Sequence, residues 1–205
     1  ISENAPIGYV TVIRSSQTPR TVINDTTTYV IYTDGSIDVH ATFVTADDFR
    51  LPRLGLQAML SPALENVSWY GRGPIENWPD RKDAAFVGRY TSTVTDMEEF
   101  YVRAQSMGER CDTHWLTLTD NNGKGLRVES YGKTFDFCAL HVTDRDLNDV
   151  KYGHRINEIR RAEVVLTLDA WVRGIGNASC GPGPLPAYDY KPGTHALDVR
   201  LSPIR

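Results

Sequence analysis

The chain has 205 residues and a formal net charge of −4, with 40% hydrophobic and 23% charged residues. That size and composition suit one globular domain with a core large enough to need no staples. The acidic balance lacks the basic footprint of a nucleic-acid or anionic-membrane binder, so neither partner is expected, and no apolar run is long enough to predict a membrane-crossing helix.

The first residues, ISENAPIGYV, carry neither an initiator Met nor a signal-peptide pattern. The expectation is therefore an excised or processed piece of something longer, whose localisation is not readable from the sequence. Strand signals follow in chain order: YVTVIR (9–14), TTYVIYT (27–33) and IDVHATFV (37–44), rich in β-branched and aromatic residues. Asp34-Gly35 between the second and third predicts a hairpin turn. In the third run Ile37, Val39, Ala41 and Phe43 share one face, and Asp38, His40 and Thr42 the other, as in a half-solvated antiparallel strand. RLGLQAML (53–60) and VSWYG (67–71) continue the pattern, and Trp69 reads as a core anchor at a strand end. The stretch WYGRGPIENWPDR (69–81) then breaks it: too aromatic for a slack linker, too rich in Gly and Pro for a helix or central strand.

TDMEEFY (95–101) has the form of a capped helix start, with Thr95 and Glu98 as a capping box. HWLTLTD (114–120), a turn at NNGKG (121–125) and LRVESYG (126–132) predict a further hairpin, followed by FDFCALHV (135–142). TDRDLNDV (143–150) has room for a turn or two of helix. AEVVLTLDAWV (162–172) and HALDVRLSPI (195–204) are strands on either side of a long Gly/Pro-rich segment, GIGNASCGPGPLPAY (174–188). Regular strands with frequent turn signals predict an all-β fold, a large antiparallel double sheet, in a single domain over 1–205.

Little here carries chemistry outright. Cys111, Cys138 and Cys180 are far apart and form no CxxC pair, which favours buried small hydrophobes and leaves one disulfide open. The five histidines (40, 114, 141, 154, 195) form no HxH or HxxxH pair, so no metal site is expected. No nucleophile elbow, P-loop or identifiable pair of facing carboxylates is present. The two irregular segments, 69–81 and 174–188, are the functional candidates, because long loops in compact domains tend to bind something. Asn177-Ala178-Ser179 fits a glycosylation sequon, a triplet common by chance.

Taken in order, LPRLGLQAML, NVSWYGRGPIENWPDRKDAAFVGRY, EEFYVRAQSMGERCDTHWLTLTDNNGKGLRV, FDFCALHVTDRDL and VVLTLDAWVRGIGNASCGPGPLPAY resemble the C-terminal (small-chain, fifth) domain of family 2 β-galactosidases. The resemblance covers nearly the whole chain, least clearly its first 45 residues. It implies the two-sheet supersandwich shared with galactose mutarotases, packed against a catalytic (β/α)₈ barrel and lending loops to the rim of a galactose pocket. It also implies that the catalytic glutamates and most of the Mg and Na ligands of the parent lie in other domains, so no cofactor and no activity are expected of this chain alone.

By resemblance, residues 71–81 form a loop at the pocket mouth with Gly73 and Pro74 at its hinge, held by Glu76, Asn77, Asp80 and Arg81 through charge-assisted bonds. The second segment, with Asn177, Ser179 and Cys180, matches a family stretch GGDDSW, and Cys180 stands where the family has a sugar-stacking tryptophan. Implied partners are the barrel and other domains of the parent and a galactoside. An apolar patch should mark the docking face, and a homo-oligomer could form through it. Two alternatives stand beside this reading: a sugar-binding module using Trp78, Trp171 or Tyr188 as platform, and an aldose 1-epimerase with His114 or His141 as acid and no assignable Glu base.

Overall fold

The computed structural model describes residues 5–17, 21–46, 50–177 and 181–205. Among these residues twelve strands, β1 (Pro6–Gln17), β2 (Val22–Tyr32), β3 (Ile37–Thr45), β4 (Arg53–Leu60), β5 (Asn66–Gly73), β6 (Phe86–Thr93), β7 (Arg110–Thr113), β8 (Trp115–Thr119), β9 (Gly125–Ser130), β10 (Phe135–Leu140), β11 (Val164–Val172) and β12 (Gly193–Ile204), form two antiparallel sheets. The larger runs β1-β2-β3-β12-β9-β8-β5-β6 and the smaller β4-β11-β10-β7. The expected all-β double sheet is what forms.

Local chemistry accounts for most boundaries. The β2–β3 hairpin closes through Tyr32 N–H to Ser36 O at 2.9 Å, with Gly35 at φ +85° and the Asp34 carboxylate accepting from Ser36 N–H at 2.8 Å. Val39, Ala41 and Phe43 of β3 are buried and His40 is exposed, as predicted, but Asp38 on the expected solvent face is buried as well, held by the Arg200 guanidinium and the Tyr131 and Tyr32 hydroxyls. These residues meet Trp69, Leu116, Phe137 and Leu166 in one inter-sheet core. β12 lies between β3 and β9, so the β1-β2-β3 block and the β9-β8-β5-β6 block meet only through that strand.

Two expectations are corrected. Residues 95–101 do not make a capped helix: only Thr95–Met97 turn, as a 3₁₀ segment without side-chain capping. The Glu98 carboxylate is buried and paired with Arg160 instead, so tertiary burial outcompetes the local box. The working capping box sits at the helix α1 (Asp144–Asp149), where Thr143 Oγ1 accepts from Asp146 N–H at 3.1 Å and the Asp146 carboxylate from Thr143 N–H at 2.9 Å. Strands β6 and β7 were not expected from the pattern at all.

Candidate functional site

β5 delivers the chain to the first irregular segment. Trp69, fully buried, donates its indole N–H to Arg72 O at 2.9 Å and fixes the strand end. Gly73 follows, joined to Pro74 by a cis peptide bond. A Cβ on Gly73 would lie 2.8 Å from Tyr90 Cδ2 and 2.9 Å from Trp69 Cζ2, so close packing is what requires glycine there. The segment is then laid along residues 108–111. Glu76 accepts from the Tyr101 hydroxyl and, at 2.5 Å, from Gly108 N–H. Asn77 is buried: its backbone N–H donates to Glu109 O at 2.9 Å, its Oδ1 accepts from Cys111 N–H at 2.9 Å, and its Nδ2 donates to Ile75 O at 3.0 Å. Trp78 is buried too and offers no open platform.

Asp80 and Arg81 reach the second irregular segment, some 95 residues away in sequence. The Asp80 carboxylate accepts from Ile175 N–H at 3.0 Å and Gly176 N–H at 2.7 Å. Arg81 Nη2 donates to Gly176 O and, at 2.7 Å, to Asn177 Oδ1. Gly174 must lack a side chain, since a Cβ there would lie 2.7 Å from Asp80 Cγ. Sequence reasoning singled out Asp80, Arg81 and Asn177 separately; the fold brings all three together, whereas Glu76 and Asn77 face the other way, onto 108–111. Ser179 and Cys180 lie outside the described residues. We expect Asp80→Ala to cost about 1.5–3 kcal/mol, the range for hydrogen bonds to a charged group, and to speed amide exchange selectively at Ile175 and Gly176. Unchanged exchange at those two amides would show that the clasp is not holding the loop.

Between the clasped segments lies an open cleft of about 320 Å³, lined by Asp80, Arg81, Asn177, Pro184, Leu185 and Tyr188 among others. Asp80 is the one carboxylate among these lining residues, and both its oxygens accept from backbone amides. What the cleft can offer is the Tyr188 ring beside the polar groups of Arg81 and Asn177, a combination suited to a polyol with apolar C–H faces. Exposed apolar residues occur along the two segments and their neighbours: Ile75, Phe86 opposite Gly73 in the β5–β6 pairing, Val102 beside Tyr101, and Leu185 in the cleft lining.

Joined to the first segment where Asn77 N–H donates to Glu109 O is a buried charge cluster that the sequence reading did not single out. Arg53, at the start of β4, donates to Glu109 Oε2 at 2.8 Å and lies 3.7 Å from Asp169 Oδ2 and 3.8 Å from Asp144 Oδ2. Asp136 accepts from Asp112 N–H at 2.9 Å. Burial raises the carboxyls of Glu109 and Asp169 and pushes that of Asp136 up to about 6. The available signal was a single Asp interrupting each of two apolar runs, FDFCAL and LTLDAWV.

The other candidates fall elsewhere. His141 has both ring nitrogens engaged, Nε2 with Glu65 Oε2 at 2.9 Å and Nδ1 with Glu163 O at 3.1 Å. His114 stacks on Tyr70 and Trp171 packs edge-on to Tyr190, both away from the cleft lining. Cys111 and Cys138 are free and buried. Among the described residues no three His, Cys, Asp or Glu side chains converge as metal ligands would.

A family model described as the β-galactosidase small chain matches residues 2–201. A β-galactosidase of Vibrio cholerae is 34% identical over 149 residues, 72% of this chain and 14% of its own length. One from Kluyveromyces lactis is 33% identical over 141 residues, 68% of this chain and 13% of its own. One from an Arthrobacter species is 28% identical over 158 residues, 75% of this chain and 15% of its own. The chain thus spans only 13% to 15% of the length of these relatives.

Proposed function

The chain belongs to the β-galactosidase small-chain family, and on that premise we propose that it is a non-catalytic domain of a longer β-galactosidase that hydrolyses terminal β-D-galactosides. Its clasped loops border the sugar pocket and pack against the catalytic barrel. The observation that carries this reading is the clasp itself: Asp80 and Arg81 hold residues 175–177 beside an open cleft whose lining includes the exposed Leu185, with exposed Ile75 and Phe86 on the same first segment and its paired strand suiting a covering domain.

In this role the residues position and do not react. Asp80 fixes the backbone of the second loop, Arg81 and Asn177 present polar groups to hydroxyls, and Tyr188 presents a ring to the C–H face of a sugar. The nucleophile, the acid/base and any Mg or Na ion belong to other domains. The test compares the 205-residue chain with the longer protein on nitrophenyl galactoside. The chain alone should give no turnover. In the longer protein Tyr188→Ala should raise KM by about tenfold with kcat within about twofold, the signature of lost binding. Turnover by the pure chain, or an unchanged KM, would refute the assignment.

A further inference from the structure

The two sheets are unequal. The larger has eight strands and the smaller four, and β4 ends the smaller sheet, pairing with β11 alone among the described residues. The residues that face one another at this side are Tyr29, Val39 and Val199 of the larger sheet and Leu56, Ala58 and Leu166 of the smaller, around a cavity of about 370 Å³. β1 lies beyond them, outside β2. Its residues Val10 and Val12 are in register with Tyr29 and Thr27 and share their inward face, yet they are 48% and 36% exposed. Arg14, next on that face, lies over Asp25 with its Nη2 2.9 Å from Oδ2. The larger sheet therefore projects past the smaller one, and its inward face is uncovered there. Each missing strand would account for roughly 4.8 Å of that overhang.

We propose that the free edge of β4 receives an added antiparallel or parallel strand from elsewhere in the longer polypeptide, with alternate apolar side chains directed onto Val10, Val12 and Tyr29. An unpaired edge beside an open apolar groove supplies both halves of strand addition: backbone groups to pair and pockets for alternate side chains. Since the chain spans 13% to 15% of the three relatives named above, most of a polypeptide of that length lies outside it and can supply about eight residues to match β4. A second copy does not fit this edge. Pairing two β4 edges about a twofold axis would bring the projecting β1–β2 of each copy into the layer already held by the other's larger sheet.

This inference rests on the reading above that the chain is part of a longer β-galactosidase. The test measures hydrogen exchange by mass spectrometry on the 205-residue chain and on the longer protein, wild type and Val10→Glu. The expected result is at least a tenfold slowing at residues 55–60 in the longer protein, reduced by Val10→Glu, which should leave the midpoint of the 205-residue chain unchanged. Slowing around 80–81 and 174–177 without any at 55–60 would overturn the added strand and leave the domain reading standing. Slowing at neither would remove both. Slowing at 55–60 in the 205-residue chain itself, with a doubled mass in light scattering, would make the occupant a second copy and overturn the proposal.

Discussion

Replacing Arg53 with leucine is expected to destabilise the domain by about 3–5 kcal/mol at pH 8, the cost of removing one partner from a buried ion pair. The Arg53 side chain is only 15% exposed and faces carboxylates of Glu109 and Asp169 that have no exposure at all. Among the described residues neither Asp169 oxygen has a hydrogen-bond partner, nor does Glu109 Oε1, so without the guanidinium these groups are left charged in an apolar interior or must take up protons. The penalty should therefore shrink at pH 5.

The wild type should show the same proton linkage. Folded-state carboxyl pKa values raised by burial mean that the native state holds more protons than the unfolded one above the ordinary carboxylate range. The contribution of these acids is complete below that range and is lost as pH rises through about 6, the value of Asp136, and beyond. Asp38 acts in the opposite sense. Burial alone would raise it, but Arg200 and the Tyr131 and Tyr32 hydroxyls outweigh burial and hold it at about 2, so its contribution disappears only in strong acid. Urea unfolding of both proteins at pH 5 and pH 8 measures this. An equal Arg53→Leu penalty at the two pH values would rule out carboxyl protonation as the compensation.

The second large effect is expected at Trp69. Truncation to alanine should cost about 3–5 kcal/mol, as for buried aromatic residues generally. The ring lies 5.5 Å from Tyr90 and 6.1 Å from Phe137, with the Arg110 guanidinium 5.6 Å from its centroid, and its N–H satisfies Arg72 O. Trp69→Phe keeps much of the volume but strands that carbonyl, so it should fall between wild type and alanine. Because Gly73 packs on the same ring, amide protection of residues 76 and 77 should drop in Trp69→Ala. A loss under about 1.5 kcal/mol would mean that the cavity collapses and that Trp69 does not set the start of the loop.

What the sequence disclosed follows from where period and burial coincide. β3 and β4 were legible almost to the residue: β3 buries the face of Val39, Ala41 and Phe43, β4 is a dense apolar run anchored by buried Leu54, and turn chemistry bounds them, Asp34-Gly35 before β3 and Ser61-Pro62 after β4. β6 was invisible because it is an edge strand: Phe86 and Val87 are both exposed, and Gly88 interrupts the run, so nothing alternates. Thr95 and Glu98 had the spacing of a cap, yet Glu98 is drawn to Arg160. The individual members of the clasp stood out as odd residues in odd loops. That Asp80 meets backbone amides near position 175 could not be read, because it depends on β5 and β11 lying in different sheets whose ends converge. Arg53 was hidden for the same reason, since its partners come from three separate stretches of chain.

The position of β12 has a consequence for how the molecule comes into being. Residues 193–204 are the last strand in chain order but sit in the interior of the larger sheet, flanked by β3 and β9. During synthesis the three-stranded and four-stranded blocks on either side must wait, edges unpaired, until those residues have left the ribosome. The partners of β12 in β3 lie some 150 positions back along the chain, a long loop to close, and contacts of that separation form slowly. The nascent chain therefore passes through an interval with two open sheet edges, during which a chaperone or a neighbouring nascent chain competes with β12.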